Sequence, residues 1–169
     1  MRHIATSLDI DAPIDAVWAV LTDLDAYSEW NPHVTRATGR LREGEAVTVT
    51  VVPAGRRPRT MTATVTALEP LRRLQWVATA GSRLLFEGRH TFTLESLAGD
   101  RTRFRNREDL SGLLVPLAVR PDAHRDYETM NEALAARVAA LAGATVAGAT
   151  ARETAERTAD GAGDRETAV

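Results

Sequence analysis

The sequence predicts an α+β domain, and three observations carry that reading. A helix-start signal with large aromatic anchors follows a first strand near the N-terminus. A series of alternating strands separated by turn signals fills the middle, and one amphipathic helix follows them. The strands arrive as successive hairpins, so the sheet they build is antiparallel.

The first helix is expected to start from Asp11 as N-cap, with Pro13 near the first helical position, where its missing N–H costs nothing. Val17, Val20 and Leu21 then repeat at helical spacing. Asp23 restarts a short second helix through Tyr27. Pro32 stops it by forcing Asn31 toward an extended conformation. Trp18 and Trp30 are large enough to fasten this helix pair to a sheet.

In the strands that follow, side chains alternate between faces, so an inner face can be assigned. Residues 46–52 place Val47, Val49 and Val51 on one face; residues 59–68 place Met61, Ala63, Val65 and Ala67 there, with threonines opposite. A hairpin through 53–58 is expected to pair Val51 with Met61 and Val49 with Ala63. The turn at 69–72 then sets Val65 opposite Trp76, and a turn around Gly81-Ser82 sets Trp76 opposite Phe86. The face continues through Leu84, Phe86, Gly88, His90, Phe92 and Leu94. A last hairpin around 98–100 brings in Phe104, Asn106 and Glu108, with Phe92 opposite Asn106 and His90 opposite Glu108. Three polar residues, His90, Asn106 and Glu108, therefore share an otherwise apolar face, where they must be paired or wet.

From Asp122 to Leu141 the residues Tyr127, Met130, Leu134, Val138 and Leu141 form one helical stripe, expected to face the sheet. The connection before it, with Gly112, Pro116 and Pro121, is a connector or a gate. Past Gly143 the composition shifts to Ala, Thr, Gly, Arg, Glu and Asp. Residues 1–142 are thus expected to form the domain and 143–169 a solvated, flexible tail that buries too little apolar surface to offset chain entropy.

Composition narrows the function. With 169 residues and 44% hydrophobic content, one core is sufficient. There is no cysteine, so thiolate zinc sites, disulfides and cysteine nucleophiles are excluded. The four histidines are dispersed without metal-ligand spacing, and no glycine-rich phosphate loop or nucleophile elbow occurs; no cofactor or metal is expected. A formal charge of −2 gives no general reason to bind nucleic acid, and all 21 basic residues are arginine, which reads as codon bias. No apolar run is long enough for a membrane span and no leader-like segment is evident, so a cytoplasmic location is expected.

The pattern A-P-x-x-x-V-W-x-x-L-T-D followed by Y-x-x-W-N-P, at Ala12–Asp23 and Tyr27–Pro32, resembles the entry into the START-like (SRPBCC) superfamily, especially its polyketide cyclase/dehydrase-like branch. G-x-H-x-F-x-L at Gly88–Leu94 and the strand through Glu108-Asp109-Leu110 are similar to later strands of that family. The resemblance spans about residues 4 to 141. It implies a helix-grip fold, in which a curved antiparallel sheet of about seven strands wraps a long C-terminal helix around a hydrophobic cavity. On the assigned face, the cavity wall would include Val49, Met61, Val65, Trp76, Phe86, Phe92, Phe104 and Asn106, with Tyr127, Met130 and Leu134 from the helix.

The function implied is binding of a hydrophobic, polycyclic or polyketide-like small molecule, as a bacterial carrier or sequestering protein. The alternative is a cofactor-independent polyketide cyclase using His90 as acid–base with Glu108 orienting it; a carboxylate can set an imidazole's tautomer and raise its basicity. The same pair also fits a purely structural role. A third class, protein interaction as in related chaperone activators, would use the outward Arg103, Arg105 and Arg107, which equally fit a solvated charged face.

Overall fold

A computed structural model describes residues 1–163 of the chain. Strand β1 (Arg2–Ile10) leads into α1 (Ile14–Thr22) and α2 (Tyr27–Trp30). Six strands follow: β2 (Val34–Gly39), β3 (Ala46–Val51), β4 (Arg59–Glu69), β5 (Arg73–Thr79), β6 (Glu87–Leu97) and β7 (Arg101–Ser111). A single turn, α3 (Val115–Ala118), precedes α4 (His124–Gly163). The seven strands form one antiparallel sheet in the order β1-β7-β6-β5-β4-β3-β2. This sheet curls around the first turns of α4, the arrangement of an α+β helix-grip fold.

The helix pair forms without the expected cap. Pro13, extended at φ −67° and ψ 153°, is the N-cap of α1, and Asp11 makes no capping bond to it; the proline's fixed φ sets the entry in place of a side-chain cap. Val17, Leu21 and Tyr27 are fully buried, and the Tyr27 hydroxyl donates to the Leu21 carbonyl at 2.7 Å, so the phenol brings no unpaired group into the core.

Two hairpin registers differ from expectation by an even number of residues. Val49 pairs with Met61 and Val47 with Ala63, because β4 starts at Arg59 opposite Val51 and the loop between the strands is shorter than expected. Trp76 faces His90 across the β5–β6 pair; Phe86 lies before β6, since residues 80–86 form a loop closed by Phe86 N–H to the Ser82 carbonyl. Leu84, expected on the inner face, is 80% exposed in that loop. Val65 does pair with Trp76, His90 with Glu108, and Phe92 with Asn106.

Helix α4 begins at His124, two residues later than expected. It buries Tyr127, Met130, Asn131, Leu134 and Val138 against the sheet, but Leu141 is 44% exposed, so the stripe leaves the sheet one turn early. The helix then continues to Gly163. Alanine-rich sequence of high helix propensity extends a helix already nucleated by packing, and residues 141–145 and 147 are exposed along it. The end of the segment expected as a tail, residues 164–169, lies outside the described residues.

Candidate functional site

The sheet's concave face and the start of α4 enclose a cavity of about 120 Å³. Val49 and Met61 from the β3–β4 hairpin, Trp76 from β5, Phe86, His90 from β6, Glu108 from β7 and Tyr127 from α4 line it. Its mouth lies between Pro53 and Arg59 on one side and Ala118, Val119 and Arg120 on the other. Two arginines hold these sides together: Arg56 donates to the carbonyl of Leu117 at 3.0 Å, and Arg120 donates to the carbonyl of Ala54. Apolar cavities of roughly 150 Å³ accept benzene. The enclosed space therefore fits about one ring, and a larger ligand must extend through the mouth.

Six residues expected in the wall do not reach the cavity. Val65, Phe92, Phe104, Asn106, Met130 and Leu134 are almost completely buried where α4 lies directly on the sheet, so their side chains fill the space between the layers. They are core, and the cavity is confined to the end of the grip where the helix starts.

His90 and Glu108 come together at the cavity floor, His90 Nδ1 lying 3.2 Å from Glu108 Oε2. On the other side of the ring, Nε2–H donates to Asn106 Oδ1 at 2.6 Å; Asn106 Nδ2 donates to Asn131 Oδ1 at 3.0 Å, and Asn131 Nδ2 to Thr6 Oγ1 at 2.9 Å. Tyr127 from α4 packs over the pair, its ring centroid 5.5 Å from that of His90 and its hydroxyl close to the Glu108 carboxyl. One chain of polar groups thus crosses the layer between sheet and helix. Gly88, opposite Leu110, makes room for it: a Cβ there would stand 2.7 Å from Glu108 Oε1.

The contact has the spacing of an ion pair, but burial decides otherwise. Desolvation pushes the Glu108 carboxyl up to about 8, a rise that the Tyr127 hydroxyl opposes. Desolvation likewise lowers His90 to about 3, against the bond to Asn106, which favours the charged ring. At neutral pH the pair is a protonated acid in contact with a neutral imidazole whose Nε2 is hydrogen-bonded to Asn106. Tyr127 is raised well above its ordinary value, chiefly by burial.

Several lining residues escaped the sequence reading, and His33 is the one that matters chemically. His33, three residues past Trp30 at the entrance to β2, is only 7% exposed, and its Nδ1 is buried without a hydrogen-bond partner. Burial lowers its pKa, opposed by the nearby Asp126 carboxylate. An orphaned buried polar atom costs about 1–3 kcal/mol. The sequence carried no signal for it, since β2 joins the sheet at its far edge and no hairpin parity reaches residue 33.

The outward arginines are already matched. Arg103 forms a two-point pair with Asp9, Arg105 meets Glu95 at 2.8 Å, and Arg107 meets Asp109 at 2.9 Å. A basic docking stripe is therefore neutralised by its own sheet. Among the described residues no group of three potential metal ligands occurs, and no helix is long and apolar enough to cross a membrane.

A family model described as polyketide cyclase/dehydrase and lipid transport matches residues 1–139. Among solved structures, the chain is similar to the Zhui aromatase/cyclase from Streptomyces sp. R1128, at 22% identity and TM-score 0.60, covering 81% of this chain and 93% of that one. It is also similar to a START superfamily protein from Mycobacterium smegmatis, at 18% identity and TM-score 0.66, covering 82% and 98%. DynU16, from the dynemicin biosynthetic locus, aligns at 18% identity and TM-score 0.61 over 79% of this chain and 45% of its own. No curated protein matches the sequence.

Proposed function

The chain belongs to the polyketide cyclase/dehydrase and lipid-transport family, and from that premise we propose that it binds a hydrophobic, ring-containing small molecule in the cavity and acts as a carrier or sequestering protein. The observation that carries this reading is the state of His90. Its Nε2 is bonded to Asn106, its Nδ1 lies against the Glu108 carboxyl at 3.2 Å, and burial lowers its pKa to about 3, so it is a weak base toward a substrate. The polar groups of the floor satisfy one another, which suits a wall that holds an apolar ligand without reacting with it.

A cyclase reading has one observation in its favour. Glu108 lines the cavity and stays protonated up to about pH 8, so it can donate a proton to a carbonyl oxygen during aldol closure of a polyketide-like chain. Glu108, not His90, is then the acid.

Native mass spectrometry of the purified protein beside its denatured control tests the proposal. A hydrophobic molecule of defined mass is expected to be retained, or taken up from a panel of aromatic polyketides and lipids. A protein that stays empty throughout overturns the binding role. The cyclase reading requires more: the protein must alter the products of a linear precursor, and Glu108→Gln must abolish that change while binding persists.

A further inference from the structure

We propose that His33 is the ligand's polar anchor, and that the ligand is a ring bearing a hydroxyl or carbonyl oxygen placed to hydrogen-bond the imidazole. The inference rests on the cavity-binding reading and assigns the chemistry of its ligand.

His33 and His90 both pack against Tyr127, whose ring centroid is 4.9 Å from the His33 ring and 5.5 Å from that of His90. The two stations differ in one respect. His90 bonds to Asn106 and through it to Asn131, and its Nδ1 faces the Glu108 carboxyl, so the polar groups of this station have neighbours within the protein. His33 instead brings a buried Nδ1 with no partner into the cavity wall.

Its backbone is held on both sides. The His33 N–H donates to Asn31 Oδ1 at 3.0 Å, and the His33 carbonyl accepts from Val52 N–H at 2.8 Å. The His33 backbone is therefore fixed at the wall by two bonds, and its ring packs tilted against Tyr127, while Nδ1 is left without a partner. A buried polar atom so placed is expected to find its partner in what fills the cavity. The wall around it combines apolar surface from Met61, Val49 and Trp76, available to a ring, with the Asp126 carboxylate. A pure hydrocarbon would fill the space and leave His33 unmatched; an oxygen-bearing ring of the same shape satisfies both.

The test uses p-cresol and p-xylene, which match in shape and differ by a hydroxyl for a methyl, titrated into the full chain and followed by NMR. The ratio of their dissociation constants in the unsubstituted protein, divided by the ratio in His33→Phe, cancels their different hydration. It is expected to show about a tenfold preference for p-cresol that depends on His33. The His33 ring nitrogen resonances of the unsubstituted protein are expected to move with p-cresol and not with p-xylene, a readout that does not depend on the variant folding. Binding of both compounds with no His33-dependent preference, or with unmoved His33 resonances, overturns the anchor and leaves the cavity reading intact. Saturable binding of neither compound overturns the cavity reading itself, and the anchor with it.

Discussion

His90 Nδ1 and Glu108 Oε2, 3.2 Å apart on neighbouring strands, meet as two neutral groups. Their shifts have opposite consequences for stability. Glu108 has a folded pKa of about 8 against an ordinary 4.5, so between these values the native state keeps a proton that the unfolded chain releases, and stability falls as pH rises. His90 has a folded value of about 3 against 6.5, so between these the unfolded chain takes up a proton that the native state refuses, and stability rises with pH.

From these two residues, stability should rise from about pH 3 to 4.5, stay level to about 6.5 where the slopes cancel, and fall toward pH 8. Each arm has a limiting slope of about 1.4 kcal/mol per pH unit. Urea denaturation at stepped pH checks this, and Glu108→Gln should flatten the alkaline arm relative to the unsubstituted protein. Parallel curves for the two proteins would show that Glu108 is already ionised in the fold.

Asn106→Leu should destabilise by about 2–3 kcal/mol despite its similar size, because it strips partners from both His90 Nε2 and Asn131. Denaturant midpoints at pH 6 measure the effect. A near-neutral result would mean that the polar chain across the layer contributes little.

Gly88→Ala should act through Glu108 and not through the backbone. The new Cβ would meet Oε1 at 2.7 Å, and the flexible carboxyl end can swing away at small steric cost. The expected signature is an altered alkaline arm in the pH profile with only a modest change at pH 6. An unchanged profile would place the carboxyl elsewhere.

Ala78→Leu adds volume to the cavity wall between Trp76 and the mouth. It should reduce p-cresol binding at least tenfold while the protein remains folded, since the side chain grows into existing space. Titration beside a circular-dichroism melt separates the two effects; undiminished binding would locate the ligand outside the cavity.

A chain ending at Ala142 should unfold at the same denaturant midpoint as the full chain. Leu141 is already exposed, and residues 142–145 and 147 are exposed beyond it, so their removal costs no core. A lowered midpoint would assign the C-terminal extension of α4 a structural role.

Much of this arrangement was legible in the strands because alternation has a period of two. A hairpin slip of two residues, as between Val49 and Met61, or of four, as between Trp76 and Phe86, leaves the strand side chains on their expected faces, although Leu84 is drawn into the 80–86 loop. The short 98–100 turn admits little slip, which is why the pairing of His90 with Glu108 and of Phe92 with Asn106 could be read directly. The helix-pair motif carried the resemblance that pointed to the family fold, and the family match over residues 1–139 agrees with it.

What the linear chain determined by itself was therefore the fold, the inner face and the meeting of His90 with Glu108, all consequences of local periodicity and short turns. Tertiary structure decided the rest. Face assignment does not say where along the grip the helix closes on the sheet, so Phe92, Phe104 and Leu134 turned out to be core while Met61, Trp76 and Tyr127 border open space. Nor does it say how deeply a polar pair is buried, and desolvation, a property of everything packed around a group, holds Glu108 protonated and His90 neutral. His33 reached the cavity only because β2 closes the far edge of the sheet, a contact between segments that no hairpin connects to the floor.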